Sequence, residues 1–293
     1  MLARGSTTGR RQQGVALAYV LWMLAGLTLL VGSVITISVG DVRATGRQLD
    51  EARTRAAGVG AAHLLLKAME GARASGDYDG RSVFLRSFSL GDYRLTGRVI
   101  PLAGLVALNA APVEQLSPLF RHAGGLAAGP AERLAAAVVR WREDALQRAG
   151  GRGSLPFRVI EDLLRVPGMS RTVYDRVRRL VHAEAGAGGK LDPLAAPRGN
   201  LLALAGGDVA RVDDFMAARE AGDAPRSLPQ LSANGGRGGG TSRIYCVEID
   251  VQLPDGDVLQ QRLWVDLGAS RGSLPWRIER VEPVEAPGAG GVE

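Results

Sequence analysis

The sequence predicts an α+β fold: a long N-terminal helix packs on a small antiparallel sheet, and a large helical insertion interrupts that sheet. Strand-like alternation occurs in two separate regions, 81–100 and 242–284. About 140 residues with helical patterns lie between these regions. A helical pattern also fills residues 15–70. The strands before and after the helical insertion are therefore expected to belong to the same sheet.

The composition is that of a globular chain with a sizeable core. The 293 residues are 46% hydrophobic and 23% charged. A single cysteine, Cys246, excludes the disulfide-stapled class and any zinc site built from several cysteines. Half of the net charge of +6 comes from Arg4, Arg10 and Arg11, so no strongly basic surface is predicted for the rest of the chain.

An uncharged apolar stretch near the N-terminus predicts a transmembrane segment at 15–39. As a helix it would run about 38 Å, against a hydrocarbon core of roughly 30 Å. It is longer than the apolar region of a signal peptide, about 7–15 residues, and no cleavage site of the A-x-A kind follows it. Arginines precede the stretch and Asp41 follows it, which places residues 1–14 in the cytoplasm and the chain beyond about residue 40 outside it.

The helix is predicted to continue to about residue 70. Apolar or small residues recur at steps of three and four, which predicts one buried seam: Val42, Thr45, Leu49, Ala52, Ala56, Val59, His63 and Leu66. On this seam His63 is expected to be a hydrogen-bonded core residue and not a metal ligand. The loop-forming run 71–80 ends the element.

The β regions define one predicted domain, residues 71–107 and 241–284. In the first region a turn at Gly91–Asp92 predicts a hairpin. In the second, the turn at 254–257 separates two strands, and 278–284 is expected to add a last strand. A disordered tail is predicted for residues 285–293.

The inserted lobe is predicted to span residues 108–240. Pro112 and Pro197 each open a short helix, and an amphipathic helix covers 130–146. Two further helices, 157–164 and 173–181, flank a tight turn. That turn consists of Val166, Pro167, Gly168 and Met169. A flexible glycine loop is expected at 234–240.

The sequence contains no recognisable catalytic set. It lacks a G-x-S-x-G elbow and an H-E-x-x-H motif. The histidines His63, His122 and His182 fall on separate predicted elements. We therefore predict no enzymatic activity, no catalytic residue and no metal site.

The turn at 166–169 leaves two interpretations open. A helix-hairpin-helix of this form presents backbone N–H groups to DNA phosphates, and nearby arginines favour that interpretation: Arg165, Arg171, Arg176, Arg178 and Arg179. Acidic residues interleave with them, namely Glu161, Asp162, Asp175 and Glu184, and no aromatic platform accompanies the turn. We favour a packing turn with solvated arginines and expect no nucleic-acid partner.

The residues before the apolar stretch resemble the processing site of type IV pilin-like proteins. A basic leader, Arg10-Arg11-Gln12-Gln13-Gly14, ends in glycine and the apolar helix starts at once with Val15. The resemblance implies that prepilin peptidase cuts between Gly14 and Val15, with methylation of the new amine. Most pilins and pseudopilins carry glutamate at the fifth mature position, where this chain has Tyr19. One class of pseudopilin characteristically lacks this acid.

Further segments follow in the order seen in the K-type minor pseudopilin of type II secretion systems. They are Leu108-Asn109-Ala110, Trp141-Arg142-Glu143-Asp144, the stretch 163–180 with Val166-Pro167-Gly168, and 197–220 ending in Phe215-Met216-Ala217-Ala218-Arg219. The resemblance covers nearly the whole chain. It implies a bacterial inner-membrane protein whose periplasmic domain sits at the tip of the pseudopilus, initiates assembly and supports export of folded proteins across the outer membrane.

The same resemblance implies several partners. They are other minor pseudopilins, prepilin peptidase and the inner-membrane assembly platform. Exported proteins are a further candidate partner. The alternative is a membrane-anchored helix-hairpin-helix protein of a DNA-uptake system. The family often has an aspartate-rich run suited to calcium near this tryptophan. Here Glu143 and Asp144 offer only two carboxylates among arginines, which leaves calcium in doubt and predicts no other cofactor.

Overall fold

The computed structural model describes residues 13–148, 150, 155–184, 191–221, 243–253, 256–268 and 274–286. The first helix, α1, runs from Gln13 to Ser75, and its side chains are described at 17–28 and 52–75. The chain divides into two compact units, 1–53 and 54–293.

The predicted elements are present, with shifted ends. After α1 the helices are α2 (Val113–Pro118), α3 (Ala128–Arg148), α4 (Arg171–Val177), α5 (Arg198–Leu204) and α6 (Val209–Glu220). A π-helical turn, Leu119–Ala123, follows α2, and short 3-10 helices lie at Leu102–Gly104 and Ile160–Arg165. The strands are β1 (Phe84–Leu90), β2 (Tyr93–Pro101), β3 (Val106–Ala107), β4 (Val181–His182), β5 (Ile244–Gln252), β6 (Val258–Asp266) and β7 (Arg277–Val281).

The five-stranded sheet has the order β1-β2-β5-β6-β7, and every neighbouring pair is antiparallel. The hairpin predicted around Gly91–Asp92 is confirmed, because Leu90 pairs with Tyr93. The chain leaves the sheet after β2 and returns at β5, directly beside it. The α+β fold class, with a helical insertion interrupting an antiparallel sheet, is therefore confirmed.

The C-terminal part of α1, residues 54–75, shares one hydrophobic core with a face of the sheet. Leu65 lies in this core with Val247 and Leu263. Gly97 on β2 allows the close approach, because a Cβ atom there would stand 2.7 Å from a methyl group of Leu65. Trp276 donates a hydrogen bond of 2.9 Å to His63, so this histidine is an acceptor in the protein's own packing.

The buried stripe of α1 differs from the predicted seam. Ala52 and Ala56 are exposed. The buried residues are instead Thr54, Ala57, Ala61, Ala62, Leu65, Leu66 and Met69. The prediction followed a narrow seam of alternating steps. A flat sheet covers a wider stripe, so adjacent pairs such as Ala61–Ala62 and Leu65–Leu66 are buried together.

The unit formed by residues 1–53 contains the sites predicted near the N-terminus. Helix α1 already includes Gln13 and Gly14, so it starts before the predicted boundary at Val15. Among the residues that the structure describes, no helix is both long enough and apolar enough to cross a membrane. The predicted span 15–39 lies outside the described side chains at 15–16 and 29–39.

A second hydrophobic core joins the helical lobe to the sheet, because it contains Ile100, Cys246 and Trp264 of the strands together with lobe residues. Two helices predicted around the tight turn are shorter than expected. Residues 157–159 precede the 3-10 helix Ile160–Arg165, and α4 ends at Val177. The reason for the second difference is that Val181 and His182 form β4, which pairs in parallel with β3. The glycine loop predicted at 234–240 lies outside the described residues.

Candidate functional site

The motif Leu108-Asn109-Ala110 is a structural anchor inside the lobe. The Asn109 amide donates hydrogen bonds to the carbonyls of Phe157, at 2.9 Å, and Ala183, at 2.8 Å. Its side-chain oxygen accepts from the Phe157 amide at 2.9 Å. One side chain thereby satisfies three backbone groups from two distant segments, an arrangement that buried backbone polar groups require.

Three other motif residues act in the same way. Arg142 donates to the carbonyl oxygens of Leu108, at 3.3 Å, and Ala111, at 3.0 Å. Burial lowers the pKa of the Arg142 guanidinium. Asn200 binds the carbonyls of Gly104 and Leu180, both at 2.9 Å, and Arg219 binds those of Leu194 and Ala196. The segments that carry the family resemblance therefore position the lobe's loops.

The turn at 166–169 joins the 3-10 helix to α4. Val166 is buried, Met169 is half-buried, and Pro167 and Gly168 are exposed. Gly168 has a φ of +90°, a conformation that L side chains rarely adopt. Ser170 begins α4 by accepting a hydrogen bond of 3.3 Å from the Val173 amide. The turn is thus packed on one side and solvated on the other.

The arginines around this turn have partners within the protein. Arg165 pairs with Asp162 at 3.2 Å, and Arg171 pairs with Asp175 at 3.0 Å. Arg176 donates to the Gly124 carbonyl at 3.2 Å. Asp162 and Asp175 lower the local positive charge at two of these arginines, which weakens the electrostatic footprint that DNA binding needs. The geometry favours the packing turn over the phosphate-binding interpretation.

A buried ion pair lies between the sheet and the lobe. Arg262 on β6 donates through Nε to Glu248 on β5 at 3.1 Å, and both residues are buried. Burial by itself would raise the pKa of Glu248, but the charges of Arg262 and Arg98 outweigh it and hold that pKa below its usual value. Arg262 also donates to the carbonyls of Arg178, at 3.4 Å, and Arg179, at 3.3 Å. One guanidinium thereby links β6 to the chain segment after α4.

Residues 282–286, which we call the closing segment, lie against the same region. Glu285 accepts two hydrogen bonds from Arg178, one of them 2.9 Å long from Nη1. Backbone bonds with Gln260 form an isolated antiparallel bridge. The prediction of a disordered tail from residue 285 does not hold for Glu285, because the ion pair and the bridge position it. Residues 287–293 lie outside the described residues.

The processing residues Gly14 and Val15 lie in α1, but their side chains are outside those that the structure describes. Tyr19, the predicted fifth mature residue, is 74% exposed. These residues are more than a hundred positions away in sequence from the turn at 166–169, and they belong to the other compact unit.

Within the described ranges, no group of three or more His, Cys, Asp or Glu side chains could hold a metal ion. Glu143 and Asp144 are exposed on α3, and residues 151–154 beyond that helix are outside the description. Burial raises the pKa of the Cys246 thiol, so it stays protonated at neutral pH.

Arg262 connects residues that no sequence pattern predicted to be a set: Arg178, Glu248 and, through Arg178, Glu285. A signal did exist in β6, where Gln260, Arg262 and Trp264 alternate with Gln261, Leu263 and Val265. All six are buried, because the lobe covers one face of β6 and α1 shares a core with the other. Charged residues on a strand with two covered faces point to a buried pair.

No protein-family model matches the sequence, and no curated protein matches it. Among solved structures, the chain is similar to a chain in the crystal structure of the GspK–GspI–GspJ complex from the type 2 secretion system of enterotoxigenic Escherichia coli. The two chains are 14% identical, the match covers 84% of this chain and 99% of that chain, and the TM-score is 0.47. At these values the likeness alone assigns neither a family nor a function.

Proposed function

We propose that the chain is a minor pseudopilin, of the K type, that supports export of folded proteins by a type II secretion system. The observation that carries the proposal is the insertion of a helical lobe between β2 and β5 of a sheet that shares its core with a long N-terminal helix. The basic leader and the Gly14–Val15 junction also support the proposal. Its role is assembly and not catalysis.

In this proposal the chain is a single-pass protein of the bacterial inner membrane. Residues 1–14 are the cytoplasmic leader, 15–39 span the membrane, and the rest is periplasmic. Its partners are other minor pseudopilins, the prepilin peptidase that removes the leader, and the inner-membrane assembly platform. Exported proteins are further candidate partners for the lobe.

Tyr19 gives the proposal its position in the filament. After cleavage Val15 carries an ammonium group with a pKa near 8 in model peptides, and an unpaired charge in hydrocarbon costs several kcal/mol. In pilin-like filaments the glutamate at the fifth position of one subunit neutralises the amine of the next subunit. A subunit with Tyr19 cannot supply that carboxylate. It is therefore suited to start a filament and to remain at its tip.

The N-terminus of the mature chain tests the proposal. We expect mass spectrometry of the protein, purified from a host with prepilin peptidase, to show a chain that begins at Val15 with a methylated amine. Gly14→Leu should block cleavage, because a side chain there obstructs the peptidase. Gly9→Leu, within the same leader, is the matched control and should be processed normally. A mature chain that still begins at Met1 would refute the proposal.

A further inference from the structure

The closing segment continues alongside β6 after β7 has ended. The last regular pair between β6 and β7 is Leu263 with Val281. Farther along, the Gln260 amide donates to the Glu285 carbonyl at 2.7 Å, and the Glu285 amide donates to the Gln260 carbonyl at 2.9 Å. Pro283, between these points, has no N–H to donate. The Glu282 amide also donates to the Arg262 carbonyl at 2.9 Å. The described backbone thus holds the closing segment to β6 through this bond and one isolated bridge.

Side-chain recognition adds to this pairing. The Arg178 guanidinium binds the Glu285 carboxylate through both Nη atoms, and Arg179 stands 3.9 Å from the same carboxylate. Three positions earlier, Glu282 accepts a hydrogen bond of 2.7 Å from the Trp264 indole. The cleft therefore recognises an extended segment by its backbone and by two carboxylates. Bidentate arginine–carboxylate pairs combine strength with a fixed geometry.

The two arginines that bind Glu285 are positioned by hydrogen bonds that do not involve the closing segment. Arg262 donates to the backbone carbonyls of Arg178 and Arg179 and is itself paired with Glu248. These bonds fix the chain segment that presents the two arginines next to β6. The cleft beside this contact is lined on one side by residues of the lobe and β6, such as Tyr174, Arg178 and Arg262, and on the other side by Glu282, Pro283 and Glu285 of the closing segment. Because the bonds of Arg262 do not involve the closing segment, we expect Arg178, Arg179 and β6 to keep their positions when that segment leaves.

We propose that this cleft is an acceptor site for an extended acidic segment of a partner protein, and that the closing segment occupies it as an intramolecular substitute. We infer the chemistry of the partner segment from that of the closing segment, which is extended and carries two carboxylates three residues apart, Glu282 and Glu285. Strand addition at a sheet edge is a general mode of peptide recognition. The closing segment makes three backbone hydrogen bonds to β6, and the Glu285 side chain is 38% exposed. We expect it to open more readily than the regular β5–β6 ladder. This inference does not depend on the pseudopilus role.

The test uses the full-length chain in detergent micelles and a fluorescent peptide with the sequence of residues 281–286. Glu285→Gln weakens the intramolecular contact, so we expect this variant to bind the peptide at least tenfold more tightly than the wild type, measured by fluorescence anisotropy. Adding Arg178→Gln should reduce that affinity at least tenfold. A peptide with Gln at the position of Glu285 should show the same loss. Glu279→Gln is the matched control, because Glu279 on β7 pairs with Arg277 outside the cleft, and it should bind like the wild type.

Several results would overturn the inference. They are no peptide binding by the Glu285→Gln chain, or equal binding of the Glu and Gln peptides. A concentration-dependent dimer of the wild type that Glu285→Gln abolishes would identify a second copy as the occupant and refute the partner assignment.

Hydrogen exchange on the unmodified chain is a second test, which needs no substitution. The Gln260 and Glu285 amides should exchange at least tenfold faster than amides in the β5–β6 ladder, and equal protection would contradict a replaceable segment.

Discussion

At the residue scale, the pair Glu248–Arg262 makes two charges in the core tolerable. Glu248→Leu should destabilise the fold by about 3–5 kcal/mol, because it leaves the Arg262 guanidinium buried without its carboxylate. The double variant Glu248→Leu/Arg262→Met should recover most of that loss. Chemical unfolding of the full chain in micelles, followed by tryptophan fluorescence, measures both. A double variant as unstable as the single one would contradict this account.

His182 predicts a dependence of stability on pH. Burial lowers its pKa from 6.5 to about 4. Between these values the unfolded chain binds a proton that the folded chain does not, so stability falls as pH decreases through that window, by roughly 3 kcal/mol in total. Its ring nitrogens have no hydrogen-bond partner among the described residues. His182→Leu should therefore be nearly neutral at pH 7 and lose this part of the acid sensitivity in unfolding curves. An unchanged pH profile would exclude His182 as the cause.

At the scale of elements, the register between α1 and the sheet can be tested with a matched pair of alanines. Ala61 is fully buried in the core shared with the sheet, whereas Ala56 is exposed. Ala61→Leu should cost about 1–3 kcal/mol through overpacking, and Ala56→Leu should stay within about 0.5 kcal/mol of the wild type. The free energies of unfolding of the two variants show which of the two positions is buried against the sheet. The predicted seam requires the opposite ranking, with Ala56 the more sensitive position.

The elements differ in how much of them the sequence could predict. Gly91–Asp92 between alternating runs is a local signal, and it predicted the β1–β2 hairpin correctly. The pairing of β3 with β4 is not local, because Val181 pairs with Val106, 75 positions earlier. In addition, the sequence pattern around Val181 predicts a helix. The site residue Glu285 was likewise assigned to a tail, because its arginine partner lies 107 positions away. Contacts between distant segments leave little trace in any short window.

At the scale of the whole molecule, the proposed tip position depends on one side chain. Tyr19→Glu should supply the carboxylate that shaft subunits carry, so we expect the variant to enter the shaft. Crosslinking from lobe positions should capture only minor pseudopilins or exported proteins for the wild type and should also capture major subunits for Tyr19→Glu. Tyr19→Phe, without a carboxylate, is the control and should behave like the wild type. Regular spacing of the wild-type chain along the shaft would refute the tip assignment.

The interruption of the sheet between β2 and β5 also has a consequence for the order of folding. Arg98 and Asp250, hydrogen-bonded across these neighbouring strands, are 152 positions apart. Joining such distant segments carries a loop-closure entropy and slows folding. A folded lobe shortens that loop, since Asn200 bonds the Gly104 carbonyl and brings the chain back close to the end of β2. We expect the lobe to fold first and deliver β5 to its neighbour, so a defect at Asn200 would delay closure of a sheet that this residue does not belong to.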